Sequence, residues 1–346
     1  MRRTSLLVAV VLFAAAPALA QNVAGPAKAR ATAPDIGFES IPNFYKMPVG
    51  TYMGEGTGIA TNSRGHVFIY TRSGESRLFE FDQSGAFVKE FGVGSYGFAF
   101  AHAVRVDRDD NVWAVDEGTN MVIKFSSDGR LAMVLGRRPQ AVEGLVAVPP
   151  GAPEPPPEPY VFSRPTDVGF DAAGNIFITD GYGNSRVVKF DRNGRFIKQA
   201  GTKGSQPGQL NLPHTMAMDA RGNVYVGDRS NTRVQVFDND LNFKAIYDNV
   251  GNPWAVCISP GPHQYLFVSN SIPDNGLAQY RDVTGEIYKM ELDGTIIGKF
   301  GKAGKQPGEF STVHEIDCRN SNELFVAEIT AWRIQKILLH PPAAGR

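Results

Sequence analysis

Three histidines share one position in a repeated sequence pattern. Each lies eleven residues before an aromatic residue of a strand-like segment; the pairs are His102 with Trp113, His214 with Tyr225 and His314 with Phe325. If the repeats fold alike, the three imidazoles lie at the same depth in the fold. Three imidazole ligands with an open fourth position are typical of catalytic zinc sites. The spacing therefore predicts a zinc site held by these three histidines.

Three further side chains are predicted to surround this site. Arg72, Tyr182 and Arg229 each follow the second strand-like segment of their repeat. In an antiparallel pair the end of the second strand lies beside the start of the first, where the histidines stand. Paired guanidinium groups bind a carboxylate in a bidentate fork. A tyrosine between arginines and a metal ion would have its phenolate form stabilised and could act as a base.

The elements that must position these residues are the strands of six sequence repeats. In each repeat a small polar turn precedes an aromatic-centred strand, and a hairpin follows, often with Asp-Gly or Asn-Gly at its turn. The copies are Asn62–Tyr70, Asp107–Asp116, Asp171–Asp180, Asp219–Asp228, Ser259–Asn270 and Arg319–Glu328. Such repeats predict an all-β fold, a six-bladed β-propeller. The histidines belong to blades two, four and six, so they would approach the axis from directions about 120° apart.

Closure of the ring requires an additional strand, because the last repeat ends after its third strand and would leave a sheet edge open. Residues 40–50, with Phe44, Tyr45 and Met47, are predicted to supply it. Residues 37–340 are then one propeller domain. In the other three blades the position of the histidines is occupied by Thr57, by Thr166, and by Trp254 or Ala255.

Composition and the first residues constrain partners and location. The sequence has 35 basic and 35 acidic residues, so its zero net charge argues against nucleic acid or an anionic membrane as a partner. Residues 1–20 contain Arg2 and Arg3, an apolar run and Ala18-Leu19-Ala20, which is typical of a secretory signal peptide. A flexible leader is predicted for 21–36. We therefore expect a mature protein that is periplasmic or secreted, with no membrane span.

Two cysteines, Cys257 and Cys318, lie in strand-like segments of neighbouring blades, and the sequence leaves open whether they pair. Two long segments between strands are also expected on the face of the histidines. They are the proline-rich Pro139–Pro159 and residues 270–284, and each is as consistent with a rim over the site as with a solvated insertion.

Several motifs resemble one known family. Phe162-Ser-Arg-Pro-Thr-Asp-Val168 and Ile178-Thr-Asp-Gly-Tyr-Gly-Asn-Ser-Arg-Val-Val-Lys-Phe190 resemble the third blade of peptidyl-α-hydroxyglycine α-amidating lyases, which are NHL-type six-bladed propellers. Gln206–Thr215 and Gly227–Asn231 resemble the next blade. The likeness extends from about Gly58 to Arg333, nearly the whole predicted domain.

The resemblance implies an activity and a set of roles. The zinc ligands of that family match His102, His214 and His314, its catalytic tyrosine matches Tyr182, and its two active-site arginines match Arg72 and Arg229. The reaction would cleave the N–C bond of a C-terminal α-hydroxyglycine to an amide and glyoxylate. A structural calcium in the tunnel would be held by the side chain of Glu315 and by the backbone carbonyls of Ile59 and Val104.

Two matters of substrate and function stay open at this point. The sequence contains no hydroxylase domain, so a separate hydroxylase supplies the substrate, or the substrate is another carbinolamide or α-hydroxy acid. The alternatives to a lyase are another metal-dependent enzyme, such as a lactone or ester hydrolase, and a non-enzymatic propeller that binds a protein or glycan. Paired arginines favour a carboxylate-bearing substrate over a neutral lactone.

Overall fold

The fold is known from a computed structural model that describes residues 32–41, 43–138, 157–271 and 284–340. Within these residues, 24 strands form six four-stranded antiparallel sheets, which confirms the predicted all-β six-bladed propeller. The same residues include one 3₁₀ turn, Arg229–Asn231, and no helix long and apolar enough to cross a membrane. The predicted signal peptide, most of the leader and most of both rim segments lie outside the described residues.

Each blade is built from four strands that neighbour one another in sequence, except the sixth. Blade one contains β2 (Glu55–Thr61), β3 (Val67–Ser73), β4 (Glu75–Phe81) and β5 (Phe87–Phe91), and blade two β6 (Ala101–Val106), β7 (Val112–Asp116), β8 (Met121–Phe125) and β9 (Leu131–Gly136). Blade three contains β10 (Asp167–Phe170), β11 (Ile176–Asp180), β12 (Arg186–Phe190) and β13 (Phe196–Ala200), and blade four β14 (Pro213–Met218), β15 (Val224–Asp228), β16 (Arg233–Phe237) and β17 (Phe243–Tyr247). Blade five contains β18 (Pro253–Ile258), β19 (Leu266–Asn270), β20 (Glu286–Met290) and β21 (Ile296–Phe300), and blade six β22 (Val313–Cys318), β23 (Glu323–Glu328), β24 (Arg333–His340) and β1 (Gly37–Ile41).

The repeated turn signature has a direct structural cause. In the turn between β10 and β11, Asp171 Oδ1 accepts hydrogen bonds from the backbone N–H groups of Ala173 and Asn175, both at 2.9 Å. Gly174 adopts φ +81°, a left-handed conformation that costs glycine little. In the next blade, Asp219 Oδ1 accepts two backbone hydrogen bonds in the same pattern. The turn thus fixes where the first strand ends and the second begins.

The strand that closes the ring differs from the predicted one. Gly37–Ile41 pairs with β24, from Gly37 opposite His340 to Ile41 opposite Lys336, so the prediction of residues 40–50 is wrong in its position. The sequence has a proline at 42 and another at 48, which cannot donate ladder hydrogen bonds. Phe44, Tyr45 and Met47 instead pack on the hydrophobic cluster between blades six and one.

The core is divided into six clusters, and each fills the space between two adjacent blades. Large side chains such as Trp113, Phe177 and Phe267 are fully buried there. Because every blade packs on both neighbours, the closed ring holds its innermost strands rigidly around the axis. That rigidity positions the side chains at the ends of these strands.

Cys257 and Cys318 form a disulfide that links the innermost strands of blades five and six across 61 residues of sequence. We expect the Cys257→Ala/Cys318→Ala protein to lose about 2–4 kcal/mol of unfolding free energy, because the unfolded chain is no longer constrained. Urea denaturation measures this loss. Added dithiothreitol should lower the wild-type midpoint and leave that of the variant unchanged; equal midpoints for oxidised wild type and variant would contradict the expectation.

Candidate metal centre

Each of the three histidines lies at an irregularity of an innermost strand. In blade two, Ala101 pairs with Asp116 and Ala103 with Val115, so His102 is an extra residue in the ladder. The registers around His214 and His314 shift in the same way. A bulge turns the side chain of the extra residue away from the alternation of the strand. All three histidines are buried.

The three imidazoles converge, as the repeat spacing predicts. Their ring centroids are 4.5 to 4.8 Å apart. One candidate ligand nitrogen from each ring lies within 4.8 Å of the other two. These three buried histidines could therefore bind a single metal ion.

The hydrogen bonds of the three rings fix which nitrogen faces the centre. The Nδ1 atoms of His102, His214 and His314 lie 2.6, 2.7 and 2.7 Å from the backbone carbonyl oxygens of Thr166, Trp254 and Thr57 respectively. A carbonyl only accepts, so each Nδ1 carries the proton and each Nε2 keeps its lone pair. This is the arrangement in which histidine commonly binds a metal through Nε2.

The partner carbonyls come from the other three blades. Thr57, Thr166 and Trp254 occupy the positions equivalent to the histidines in blades one, three and five. For blade five the sequence left Trp254 and Ala255 as alternatives, and the hydrogen bond to His214 selects Trp254. Each histidine-bearing blade is thus tied to the next blade at the same level of the tunnel.

The protonation state of the rings suits a metal. Burial lowers the pKa of all three histidines well below the usual value. The positive charge of Arg229 contributes to the shift of all three, and that of Arg72 to the shifts of His102 and His314. The imidazoles are therefore neutral at neutral pH. The Nε2 atoms of His214 and His314 are buried and have no hydrogen-bond partner among the described residues. A metal ion at the centre would satisfy both, so the three residues fit such an ion.

Tyr182, Arg229 and Arg72 lie around this centre. The Tyr182 hydroxyl is 3.4 Å from His102 Nε2. The Arg229 guanidinium carbon lies 5.6 Å from the centroid of the Tyr182 ring and 3.9 Å from that of Trp254. Arg72 is held by Glu55 at 2.9 Å and lies over the Phe100 ring. Its positive charge is close enough to help lower the pKa of His102 and His314. The structure therefore brings together all six residues that the sequence assigned to the site and its zinc.

Glu117 and Arg164 also belong to the site, although neither was assigned to it from the sequence. Glu117 is buried, and its Oε2 lies 3.7 Å from His102 Nε2. Its Oε1 pairs at 2.9 Å with Arg164, whose guanidinium carbon lies 4.2 Å from the centroid of the Tyr182 ring. Burial raises the pKa of Glu117, and the surrounding arginines oppose this shift. The sequence did indicate a place for Glu117 at the site, since Glu117 directly follows β7 just as Arg229 directly follows β15.

The side chain predicted to hold calcium, Glu315, contacts three other residues in the structure. Glu315 Oε2 accepts hydrogen bonds from the N–H groups of Ile59 and Val104, at 3.2 and 3.3 Å. The other oxygen, Oε1, lies 2.9 Å from Nη1 of Arg105. These contacts place the Arg105 guanidinium beside the predicted calcium ligand Glu315, whose Oε1 has no hydrogen-bond partner among the described residues. The calcium site of Glu315, Ile59 and Val104 stays a prediction. Calcium needs six to eight oxygen ligands.

Fold and site define the class: a six-bladed β-propeller with a histidine cluster at its axis. The NHL repeat family model matches residues 162–190 and 210–237. Among solved structures, a streptogramin B lyase has a TM-score of 0.55 at 17% identity, covering 88% of this chain and 98% of its own. A gluconolactonase from Xanthomonas campestris has a TM-score of 0.58 at 14% identity, covering 92% and 98%. At these identities the likeness concerns the fold alone.

Relatives in sequence confirm the resemblance to amidating lyases. Peptidyl-glycine alpha-amidating monooxygenase A of Xenopus laevis is 30% identical over 80% of this chain and 29% of its own length. A probable peptidyl-alpha-hydroxyglycine alpha-amidating lyase of Caenorhabditis elegans is 30% identical over 55% of this chain and 57% of its own. NHL repeat-containing protein 3 of Mus musculus is 28% identical over 81% and 78%. The chain thus spans under a third of the amidating monooxygenase.

Proposed function

We propose that this protein is a zinc-dependent lyase that cleaves the N–C bond of a peptidyl- or N-acyl-α-hydroxyglycine, releasing an amide and glyoxylate. The observation that carries the proposal is the convergence of three neutral imidazoles with the Tyr182 hydroxyl, which is 3.4 Å from His102 Nε2. Relatives named as amidating lyases support the same chemistry.

The side chains have separate roles in this reaction. His102, His214 and His314 would hold zinc through Nε2, and the bound ion would supply a Lewis acid next to the substrate oxygen. Arg229 and Arg72 bind the substrate carboxylate and orient its α-carbon. Tyr182, as a phenolate, takes the proton of the α-hydroxyl as the carbonyl of glyoxylate forms and the C–N bond breaks. The same proton then passes to the departing amide nitrogen, so no oxidant or reductant is required.

Two further proposals concern supply and location. Such a substrate arises by hydroxylation of a glycine α-carbon, so a separate hydroxylase would act before this protein. The residue pattern of 1–20 supports export to the periplasm or the exterior.

The direct test combines metal analysis with a product assay. Purified protein should contain about one zinc per chain and release glyoxylate from α-hydroxyhippurate. Removal of the metal by a chelator should abolish glyoxylate release, and added zinc should restore it. Bound zinc without any glyoxylate would reject the lyase and favour another metal-dependent reaction.

Arg229 offers a test of carboxylate binding. Because its guanidinium is buried against Trp254 at 3.9 Å, Arg229→Lys should keep the charge but lose the planar fork. We expect kcat/KM to fall roughly 10- to 100-fold, mainly through KM, with zinc content unchanged. Steady-state kinetics measures this effect, and Arg192→Lys in the turn between β12 and β13 is the matched control. An unaltered KM for α-hydroxyhippurate would remove Arg229 from the carboxylate site.

A further inference from the structure

An arginine that is 15% exposed lies between two buried carboxyl groups on the innermost strands of the propeller. Nε and Nη2 of Arg105, on β6, donate to the two carboxylate oxygens of Asp167 at 2.9 and 2.7 Å. Nη1 of the same guanidinium lies 2.9 Å from Glu315 Oε1. Asp167 and Glu315 have side-chain exposures of 1% and 2%, so neither can be solvated by bulk water. One planar guanidinium thus contacts both carboxyl groups.

The two carboxylates extend this network to further blades. Glu315 accepts from the backbone N–H groups of Ile59 in blade one and Val104 in blade two. Asp167 Oδ2 accepts from Met216 N at 2.8 Å, in blade four. Together with Arg105 in blade two, Asp167 in blade three and Glu315 in blade six, five of the six innermost strands are connected.

Electrostatics explains why a cation is needed here. Two carboxylates buried together repel one another and lose their hydration, so without a counter-charge the folded state would be strongly destabilised. A third acid, Asp317, contributes to the negative potential at Arg105. A divalent cation or a guanidinium can neutralise such a cluster. Here the guanidinium of Arg105 makes a bidentate pair of hydrogen bonds to Asp167 and lies within ion-pair distance of Glu315.

We propose that Arg105 is the built-in cation of the tunnel, which takes the place expected for calcium and ties the innermost strands together without any bound ion. The folded protein therefore needs no calcium. Removing the guanidinium would leave an acidic cavity lined by Asp167 and Glu315, and that cavity would take up calcium.

The test compares thermal unfolding and calcium content of zinc-supplied protein with and without millimolar CaCl2. Wild type should contain no calcium and show the same melting temperature in both buffers. Arg105→Ala should melt on the order of 10 °C lower. Added calcium should recover part of this loss in Arg105→Ala but not in Arg105→Ala/Glu315→Gln. Arg105→Lys, which keeps a charge but loses the fork, should melt between wild type and Arg105→Ala.

Two results would overturn the proposal. One is calcium in wild-type protein together with a higher melting temperature in CaCl2. The other is an Arg105→Ala or Arg105→Lys protein as stable as wild type. If Arg105→Ala does not fold, the Arg105→Lys comparison and the calcium content of wild type still decide.

A second, independent observation concerns the surface next to Arg72. A cavity of about 620 Å³ lies between blades six, one and two, and Arg72 forms part of its wall. Phe100, Tyr52 and Trp332 line it with exposed rings, at 42%, 86% and 61% exposure. Arg72 Nη1 also lies 3.3 Å from the carbonyl oxygen of Ala101, the neighbour of His102. Arg72 therefore borders both the metal centre and the aromatic cavity.

The geometry points to this cavity as the site for the acyl group of the substrate, which would be apolar or aromatic; this inference rests on the proposed function. With its carboxylate at the arginines, a substrate would extend its acyl group from Arg72 between the exposed rings. Burial of a phenyl group there should strengthen binding roughly tenfold or more over an acetyl group.

Binding of unreactive analogues separates this inference from the lyase assignment. N-benzoylglycine and N-acetylglycine carry the same carboxylate and lack the α-hydroxyl, so neither can be cleaved. Isothermal titration calorimetry measures both affinities without relying on Trp332, which is itself one of the substituted residues. N-benzoylglycine should bind more tightly, and Trp332→Ala and Phe100→Ala should remove that preference without changing N-acetylglycine binding. Equal affinities in wild type would reject the acyl site, whereas failure of glyoxylate release would reject the lyase alone.

Discussion

The His214→Ala protein is expected to lose its bound zinc and, with it, essentially all glyoxylate release. His214 is one of three buried histidines whose candidate ligand nitrogens lie within 4.8 Å of one another. A catalytic zinc site needs three protein ligands, and two imidazoles cannot replace them. Elemental analysis of dialysed protein measures the effect. The loss should be large because the remaining two rings are held by their own carbonyl partners and cannot move to compensate.

The matched control is His263→Ala. His263 is 62% exposed and pairs with Glu291 far from the tunnel, so its removal should change neither zinc content nor activity. Circular dichroism would verify that both variants keep the propeller fold. Full zinc occupancy in folded His214→Ala protein would show that the histidine cluster is not the metal centre.

The Tyr182→Phe protein should keep its zinc and lose turnover. The substitution removes only the hydroxyl, 3.4 Å from His102 Nε2, and leaves the ring contacts with the guanidinium groups of Arg164 and Arg229 in place. We expect kcat to fall about 10²- to 10⁴-fold, the usual contribution of a general base. KM should change little, because the arginines that bind the carboxylate are untouched.

Tyr96→Phe is the appropriate comparison for this variant, since the Tyr96 ring is 63% exposed and stands outside the metal centre. Its kcat and zinc content should equal those of wild type. If Tyr182→Phe retained wild-type kcat, another group would have to accept the hydroxyl proton, and buried Glu117 would be the first to examine.

The arrangement of the histidines illustrates how much a repeat can predict. Because six copies of one unit close into a ring, a shared position in the repeat becomes a shared depth on the axis. His102, His214 and His314 could be assigned on that basis alone, and so could the approach of Arg72, Tyr182 and Arg229 from the ends of the second strands. The spacing could not indicate the bulges that turn the three rings toward one another.

The sequence alone could not predict which residues of different blades contact one another. Arg164 pairs with Glu117 across 47 residues, and Arg105 reaches Glu315 across 210. No local pattern indicates which of several strand-end residues meet at the axis. The position of the closing strand was predicted wrongly for a similar reason. Aromatic residues such as those at 44 and 45 are as typical of a strand as of a loop that packs on a hydrophobic cluster.

The sequence by itself determined the six-fold ring and the three histidines, because periodic turns and strands specify a repeating local geometry. Only the tertiary structure decided the tautomers, the partners Glu117 and Arg164, and the guanidinium that occupies the tunnel. These depend on hydrogen bonds and ion pairs between strands that are distant in sequence, whose formation requires the closed ring. Long-range electrostatics of this kind is a property of the assembled blades and is absent from any single repeat.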